Sequence, residues 1–164
     1  HVAIVEYVAA MNEVDAVTIV PSPHSPFKDL SILADPIKRL EEVRKAFAGL
    51  SPKIRISDIE YHMQEPLYTI NTLHALKEKK SGTELVLLMG ADNVQGLERW
   101  HRGNDIVQEF PVWVYPRAGA DGAALCRAYN SRAGVRGFRF LEEAPLLDIS
   151  STQIRNQLNK NQIP

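Results

Sequence analysis

Apolar positions along this chain switch period repeatedly, and each switch marks the end of one element and the start of another. From Val2 to Met11 the residues Val2, Ile4, Val5, Val8, Ala9 and Met11 recur at mostly helical spacing with Glu6 on the opposite face, which predicts a helix starting at or before His1. Residues 16–20 are a β-branched apolar run closed by Pro21, the pattern of a buried strand. Three prolines between Pro21 and Lys28 predict a loop. Asp35-Pro36 opens a helix over 37–47, because Asp suits the N-cap, Pro suits the first helical position and Gly49 suits the end. Residues 53–57 alternate as a strand, and 69–79 carry Ile70, Leu73 and Leu76 at helical spacing. Residues 85–89 form the most apolar strand, ending at Gly90. Further helices are predicted over 94–98, 105–110 and 123–130, further strands over 112–115 and 138–141, and a last helix from about Ser151.

Strands that alternate with helices through short loops make an α/β fold, a parallel sheet covered by helices on both faces. In such sheets ligands bind beyond the carboxyl ends of the strands. The loops after Val20, Met89, Tyr115 and Leu141 are therefore the places to look for chemistry.

Composition narrows the picture. With 164 residues, 45% hydrophobic and 24% charged, the chain is expected to be one domain, residues 1–164, that buries roughly two thirds of its unfolded surface. No apolar run approaches the roughly 18 residues of a membrane span, and no basic-then-apolar signal segment opens the sequence. A cytoplasmic setting is expected, with the lone Cys126 in a reducing compartment. The balance of 19 basic against 20 acidic residues gives no electrostatic reason to bind nucleic acid or a membrane. Phosphate chemistry has to come from local sites. The histidines His1, His24, His62, His74 and His101 show no ligand-like pairing, so no protein-held metal is expected. The basic residues Arg127, Arg132, Arg136 and Arg139 read as a solvated face.

The sharpest local feature is Ile149-Ser150-Ser151-Thr152-Gln153-Ile154-Arg155. Hydroxyls before a helix, together with its unpartnered first-turn N–H groups, make a phosphate cradle, and Arg155 shares a helix face with Ser151 and Thr152. An ordinary capped helix with a solvated Arg fits the same residues. The run resembles the ISSTxIR signature of the nucleotidylyltransferase superfamily, in particular its nicotinate and nicotinamide mononucleotide adenylyltransferases. That resemblance implies a Rossmann-like domain whose triphosphate site includes Ser150, Ser151, Thr152 and Arg155.

Three other stretches carry the resemblance. Met89-Gly90-Ala91-Asp92, with Trp100 eight residues after Asp92, is similar to the family's strand-end GxD segment and tryptophan. There, the resemblance implies, Gly90 and Asp92 hold the ribose of the mononucleotide and Trp100 stacks on its pyridine. The residue types agree: glycine admits a ligand to the backbone, a carboxylate accepts two hydroxyls, and an indole offers a flat face. A helix N-cap at Asp92 and a core tryptophan are the bland alternatives. The stretch from Pro66 to Leu73 resembles the family's YTxxTL run, which puts Tyr68 and Thr69 beside the pyridine substituent, with Thr69 as the helix cap. Tyr115-Pro116-Arg117-Ala118-Gly119 resembles a strand followed by Arg-Pro-Gly, with Ala118 in place of proline. Arg117 is accordingly a candidate for the ATP side. Lys28, or His24 in its place, is the candidate basic contact to the mononucleotide phosphate.

His1 and the helix after it resemble the second histidine of the HxGH signature, which implies a catalytic donor at a helix N-terminus near the α-phosphate. On this reading the domain lacks its first strand with the first HxGH histidine, and its last helix. The implied reaction is adenylyl transfer from ATP to nicotinate mononucleotide, giving deamido-NAD and pyrophosphate, with Mg²⁺ carried on the ATP and catalytic roles for His1 and Arg155. A homo-oligomer is compatible with this reading, and acid against amide preference stays open. The alternatives are another adenylyltransferase, such as the phosphopantetheine enzyme, and a nonenzymatic nucleotide-binding module.

Overall fold

The computed structural model describes residues 1–23 and 35–146. His24, Lys28, the Ile149-to-Arg155 run and the helix expected from Ser151 lie outside the described residues. The described residues divide into two compact units, one of residues 1–23, 35–85 and 101–105, the other of residues 86–100 and 106–146.

In the first unit, α1 (Val2–Ala9) buries Ile4, Val5, Val8 and Ala9, the stripe that helical spacing puts on one face. Strand β1 (Val17–Ile19) pairs in parallel with β2 (Ile54–Ile56), Val17 opposite Ile54 and Ile19 opposite Ile56. Between them runs α2 (Pro36–Phe47), whose Ile37 N–H donates to the Asp35 carboxylate at 3.0 Å. Asp35 and Pro36 thus start this helix as their residue types require. Gly49, just past the helix, takes a φ of 76°, a conformation open to glycine and costly to other residues. A 3₁₀ turn at Ile59–His62 follows, held to the start of α2 by the Tyr61 hydroxyl donating to the Pro36 carbonyl at 2.6 Å. Helix α3 (Thr69–Lys79) buries Ile70, Thr72 and Leu73.

The second unit is built on β3 (Leu87–Gly90), β4 (Val112–Tyr115) and β5 (Phe138–Phe140), parallel throughout with β4 in the centre. Helices α4 (Ala91–Val94), α5 (Gly103–Glu109) and α6 (Gly122–Asn130) alternate with the strands, and a 3₁₀ turn covers Leu97–Arg99. Val94, Leu97, Ile106, Val112 and Val114 are almost wholly buried and form its core. Asp121 caps α6, accepting from Ala124 N–H at 3.0 Å. On α6 the Cys126 thiol is buried and free of any disulfide, and burial raises its pKa.

Two expectations change. The helix expected over 94–98 is two shorter pieces, α4 and the 3₁₀ turn, divided at Gly96, where the backbone (φ −102°, ψ 2°) leaves helical geometry. The strand expected over 85–89 begins at Leu87 and takes in Gly90, because Leu87 is where pairing to β4 starts. The described strands pair in two parallel ladders, β1 with β2 and β3–β4–β5, and the parallel α/β architecture is the one that the alternation predicted.

Candidate active site

Gly90 and Tyr115 face each other at the carboxyl ends of β3 and β4, and the chain enters α4 directly from Gly90. Gly90 occupies the cap position of α4, so Asp92 lies in the first turn and is not the N-cap. Its carboxylate folds back over Gly90. A Cβ on Gly90 would stand 2.6 Å from Asp92 Oδ1, 3.0 Å from Arg117 Cγ and 3.1 Å from Tyr115 Cε2. The missing side chain is what lets these three groups converge.

Arg117 Nε lies 3.7 Å from Asp92 Oδ2; the arginine side chain is 12% exposed and the carboxylate 47%. A cation buried to this degree needs a counter-charge, and Asp92 supplies it. Burial raises the Tyr115 pKa, Arg117 lowers it and Asp92 raises it, so the phenol stays neutral at any ordinary pH. The result is a carboxylate half in solvent, backed by a fixed positive charge and a neutral phenol. It can accept two hydroxyl donors from a diol.

Trp100 terminates the 3₁₀ turn at Leu97–Arg99, its N–H donating to the Leu97 carbonyl at 3.1 Å, and is only partly buried. It is not a fully buried core tryptophan. At the start of α3 the residue in the cap position is Tyr68, and Thr69 is the first helical residue. The capping role expected of Thr69 therefore falls to no side chain: Tyr68 makes no capping bond, while its carbonyl accepts from the N–H groups of Asn71 and Thr72. The exposed Tyr68 ring stacks on His101, centroids 3.9 Å apart and planes 20° from parallel. His101 escaped sequence reasoning, and the available signal was only its place beside Trp100. His1 occupies the cap position of α1, where its carbonyl accepts from Val5 N–H at 3.1 Å and its exposed side chain makes no capping bond.

The basic stretch behaves as a solvated face. Arg132 pairs with Glu98 and lies 4.4 Å over the Tyr129 ring, and Arg139 lies 4.8 Å over Trp113. Among the described residues no three His, Cys, Asp or Glu side chains gather as metal donors, and no helix is long and apolar enough to cross a membrane.

Known proteins match this chain over nearly its whole length. The family model described as cytidylyltransferase-like matches residues 1–157. A probable nicotinate-nucleotide adenylyltransferase of Flavobacterium psychrophilum is 34% identical over 164 residues, covering 99% of this chain and 81% of that protein. Its counterpart in Bacteroides fragilis is 34% identical over 160 residues, covering 96% and 74%. Among solved structures, the Plasmodium falciparum nicotinic acid mononucleotide adenylyltransferase complexed with NaAD superimposes with a TM-score of 0.72 at 16% identity, over 93% of this chain and 74% of that one. That likeness concerns the fold.

Proposed function

The chain belongs to the cytidylyltransferase-like family and stands there with the nicotinate-nucleotide adenylyltransferases, and from this we propose that it transfers the adenylyl group of ATP to nicotinate mononucleotide. The observation that carries the proposal is the 34% identity to such enzymes over 99% of the chain. The enzyme is a nucleotidyltransferase of NAD biosynthesis. The unbroken family match over residues 1–157 supports treating the chain as a single nucleotidyltransferase domain.

In this reading an oxygen of the acceptor's 5′-phosphate attacks the α-phosphorus of ATP. The new P–O bond forms as the bond from the α-phosphorus to the bridging oxygen breaks, and pyrophosphate leaves with the electron pair. No covalent enzyme intermediate is required, so the protein's work is alignment and charge neutralisation. Asp92 accepts the ribose hydroxyls over Gly90, and Trp100 supplies a flat face for the pyridine. Tyr68 and Thr69, at the positive end of α3, are assigned to the pyridine carboxylate. His1, at the positive end of α1, is assigned to the α-phosphate and Lys28 to the acceptor phosphate; Ser150, Ser151, Thr152 and Arg155 are assigned to the triphosphate. Mg²⁺ carried on ATP would supply further charge neutralisation at the phosphates. The free thiol of Cys126 suits a reducing, cytoplasmic compartment.

The test is pyrophosphate release by the full-length protein given ATP, Mg²⁺ and one acceptor at a time. Turnover with nicotinate mononucleotide above that with the amide is expected. Turnover with phosphopantetheine and no pyridine acceptor, or ATP binding without turnover, overturns the proposal.

A further inference from the structure

We propose that Arg102 is a positioning residue for the acceptor's pyridine: its left-handed backbone, locked by Asp105, lays the His101 ring on Tyr68 and so fixes the tyrosine at the start of α3. The inference rests on the reading above that gives Tyr68 to the pyridine substituent, and it adds the residues that hold Tyr68 in place.

Tyr68, His101, Arg102 and Asp105 all belong to the first unit. The Tyr68 ring and the His101 imidazole stack with centroids 3.9 Å apart and planes 20° from parallel, yet both residues are exposed. Two rings in water gain little from burial, so a stack this close needs the backbone beneath each ring to be held. On the tyrosine side the hold is the helix start. The Tyr68 carbonyl accepts from the N–H groups of Asn71 and Thr72 at 3.0 and 3.1 Å, and from the Thr72 hydroxyl at 3.3 Å. On the histidine side the hold is Arg102. With a φ of 53°, it is the one residue other than glycine with a positive φ among the described residues. Arginine has neither the freedom of glycine nor the short polar side chain with which asparagine supports this conformation, so the turn is costly unless other contacts impose it. Two contacts to Asp105 do so: Arg102 Nε donates to the carboxylate at 2.7 Å, and the Arg102 carbonyl accepts from Asp105 N–H at 3.0 Å. Gly103, the next residue, is buried and starts α5. The conformation of Arg102 thereby aims the ring of His101 at Tyr68.

The stack leaves no room for a third ring between its members. A pyridine therefore meets the tyrosine away from His101, which backs it. A wall held in place before the ligand arrives lowers the ordering cost of binding.

The experiment uses the full-length protein. Pyrophosphate release gives kcat and the KM values for nicotinate mononucleotide and ATP, and NMR reads the His101 imidazole protons, whose resonances the Tyr68 ring current displaces while the two stack. Arg102→Val, whose branched side chain resists a positive φ, should raise the acceptor KM by roughly 5-fold and leave the ATP KM within about 2-fold. The His101 resonances should move towards those of an unstacked imidazole. Arg102→Gly, which takes that φ without steric cost, should keep the acceptor KM within about 2-fold of wild type. Asp105→Ala should act like Arg102→Val, and Arg102→Gly should rescue it, an outcome that loss of the ion pair alone does not give. If Arg102→Val does not fold, Asp105→Ala and its rescue carry the test. An acceptor KM unmoved by these variants, equal rises in both KM values, or His101 resonances that stay displaced, overturns the proposal. Wild-type protein that turns over no pyridine mononucleotide overturns the functional reading and this proposal together; a protein that does turn it over, with an acceptor KM indifferent to Asp105→Ala, overturns this proposal alone.

Discussion

Asn130 and Phe138 are joined by two hydrogen bonds that run in opposite directions: the Asn130 side-chain amide donates to the Phe138 carbonyl at 2.9 Å, and the Phe138 N–H donates to Asn130 Oδ1 at 2.7 Å. Strand β5 pairs with β4 through its neighbours, Gly137 accepting from Val112 N–H and Leu141 donating to Val114. The peptide groups of Phe138 point the other way, and the last residue of α6 satisfies them. One side chain both closes the helix and covers the strand's outer edge.

Replacing Asn130 by Ala should therefore cost about 2 kcal/mol, because it strands a part-buried donor and acceptor together. Asn130→Asp, which keeps the acceptor but sets a carboxylate oxygen against the Phe138 carbonyl, should cost at least as much. Urea midpoints at an unchanged m-value check both.

Gly122 opens α6 with no room for a side chain: a Cβ there would stand 2.3 Å from Phe140 Cε1 and 2.7 Å from its Cδ1. Gly122→Ala should destabilise by roughly 1–3 kcal/mol through displacement of that ring. Phe140→Leu combined with it should recover part of the loss, seen as a thermal midpoint above that of Gly122→Ala alone.

Gly90→Ala is expected to divide stability from function. The atom nearest the new methyl is a carboxylate oxygen of Asp92, at the far end of a side chain that can rotate away. Folding should change by about 1 kcal/mol or less, while the KM for the acceptor rises severalfold and the KM for ATP stays put. Equal increases in both KM values would contradict this reading of Gly90.

Burial raises the Glu60 pKa above its ordinary 4.5. The folded state then holds its proton to higher pH than the unfolded state does, so stability falls as pH rises through that interval. Below about pH 4 the carboxyl is neutral in both states and the cost disappears; above the raised value it is ionised in both and the cost is complete. Glu60→Gln should stabilise the protein at pH 7 by a few tenths of a kcal/mol, a small figure because the group is half in solvent. That gain should vanish near pH 4, as urea titrations at the two pH values would show.

Much of this was legible along the chain because it depends on neighbours a few residues apart. The buried stripe of α1, the Asp35-Pro36 start of α2 and the limits of β4 follow from spacing and residue type, and they stand where the sequence puts them. The pairing of Asp92 with Arg117 could not be read, since it depends on the register that sets Gly90 against Tyr115. The same holds for His101 on Tyr68, residues brought together by tertiary structure. The cap of α3 failed for a local reason: Tyr68 and Thr69 both fit the boundary, and a shift of one residue moved the threonine inside the helix.

The sequence contains a single cysteine, and it lies buried on α6 with a thiol that burial makes harder to ionise. Cys126 is thus a built-in clock for opening of the segment that ends at Asn130. Alkylating reagents should label it only when that segment opens, so the labelling rate reports the population of open molecules without any added tag.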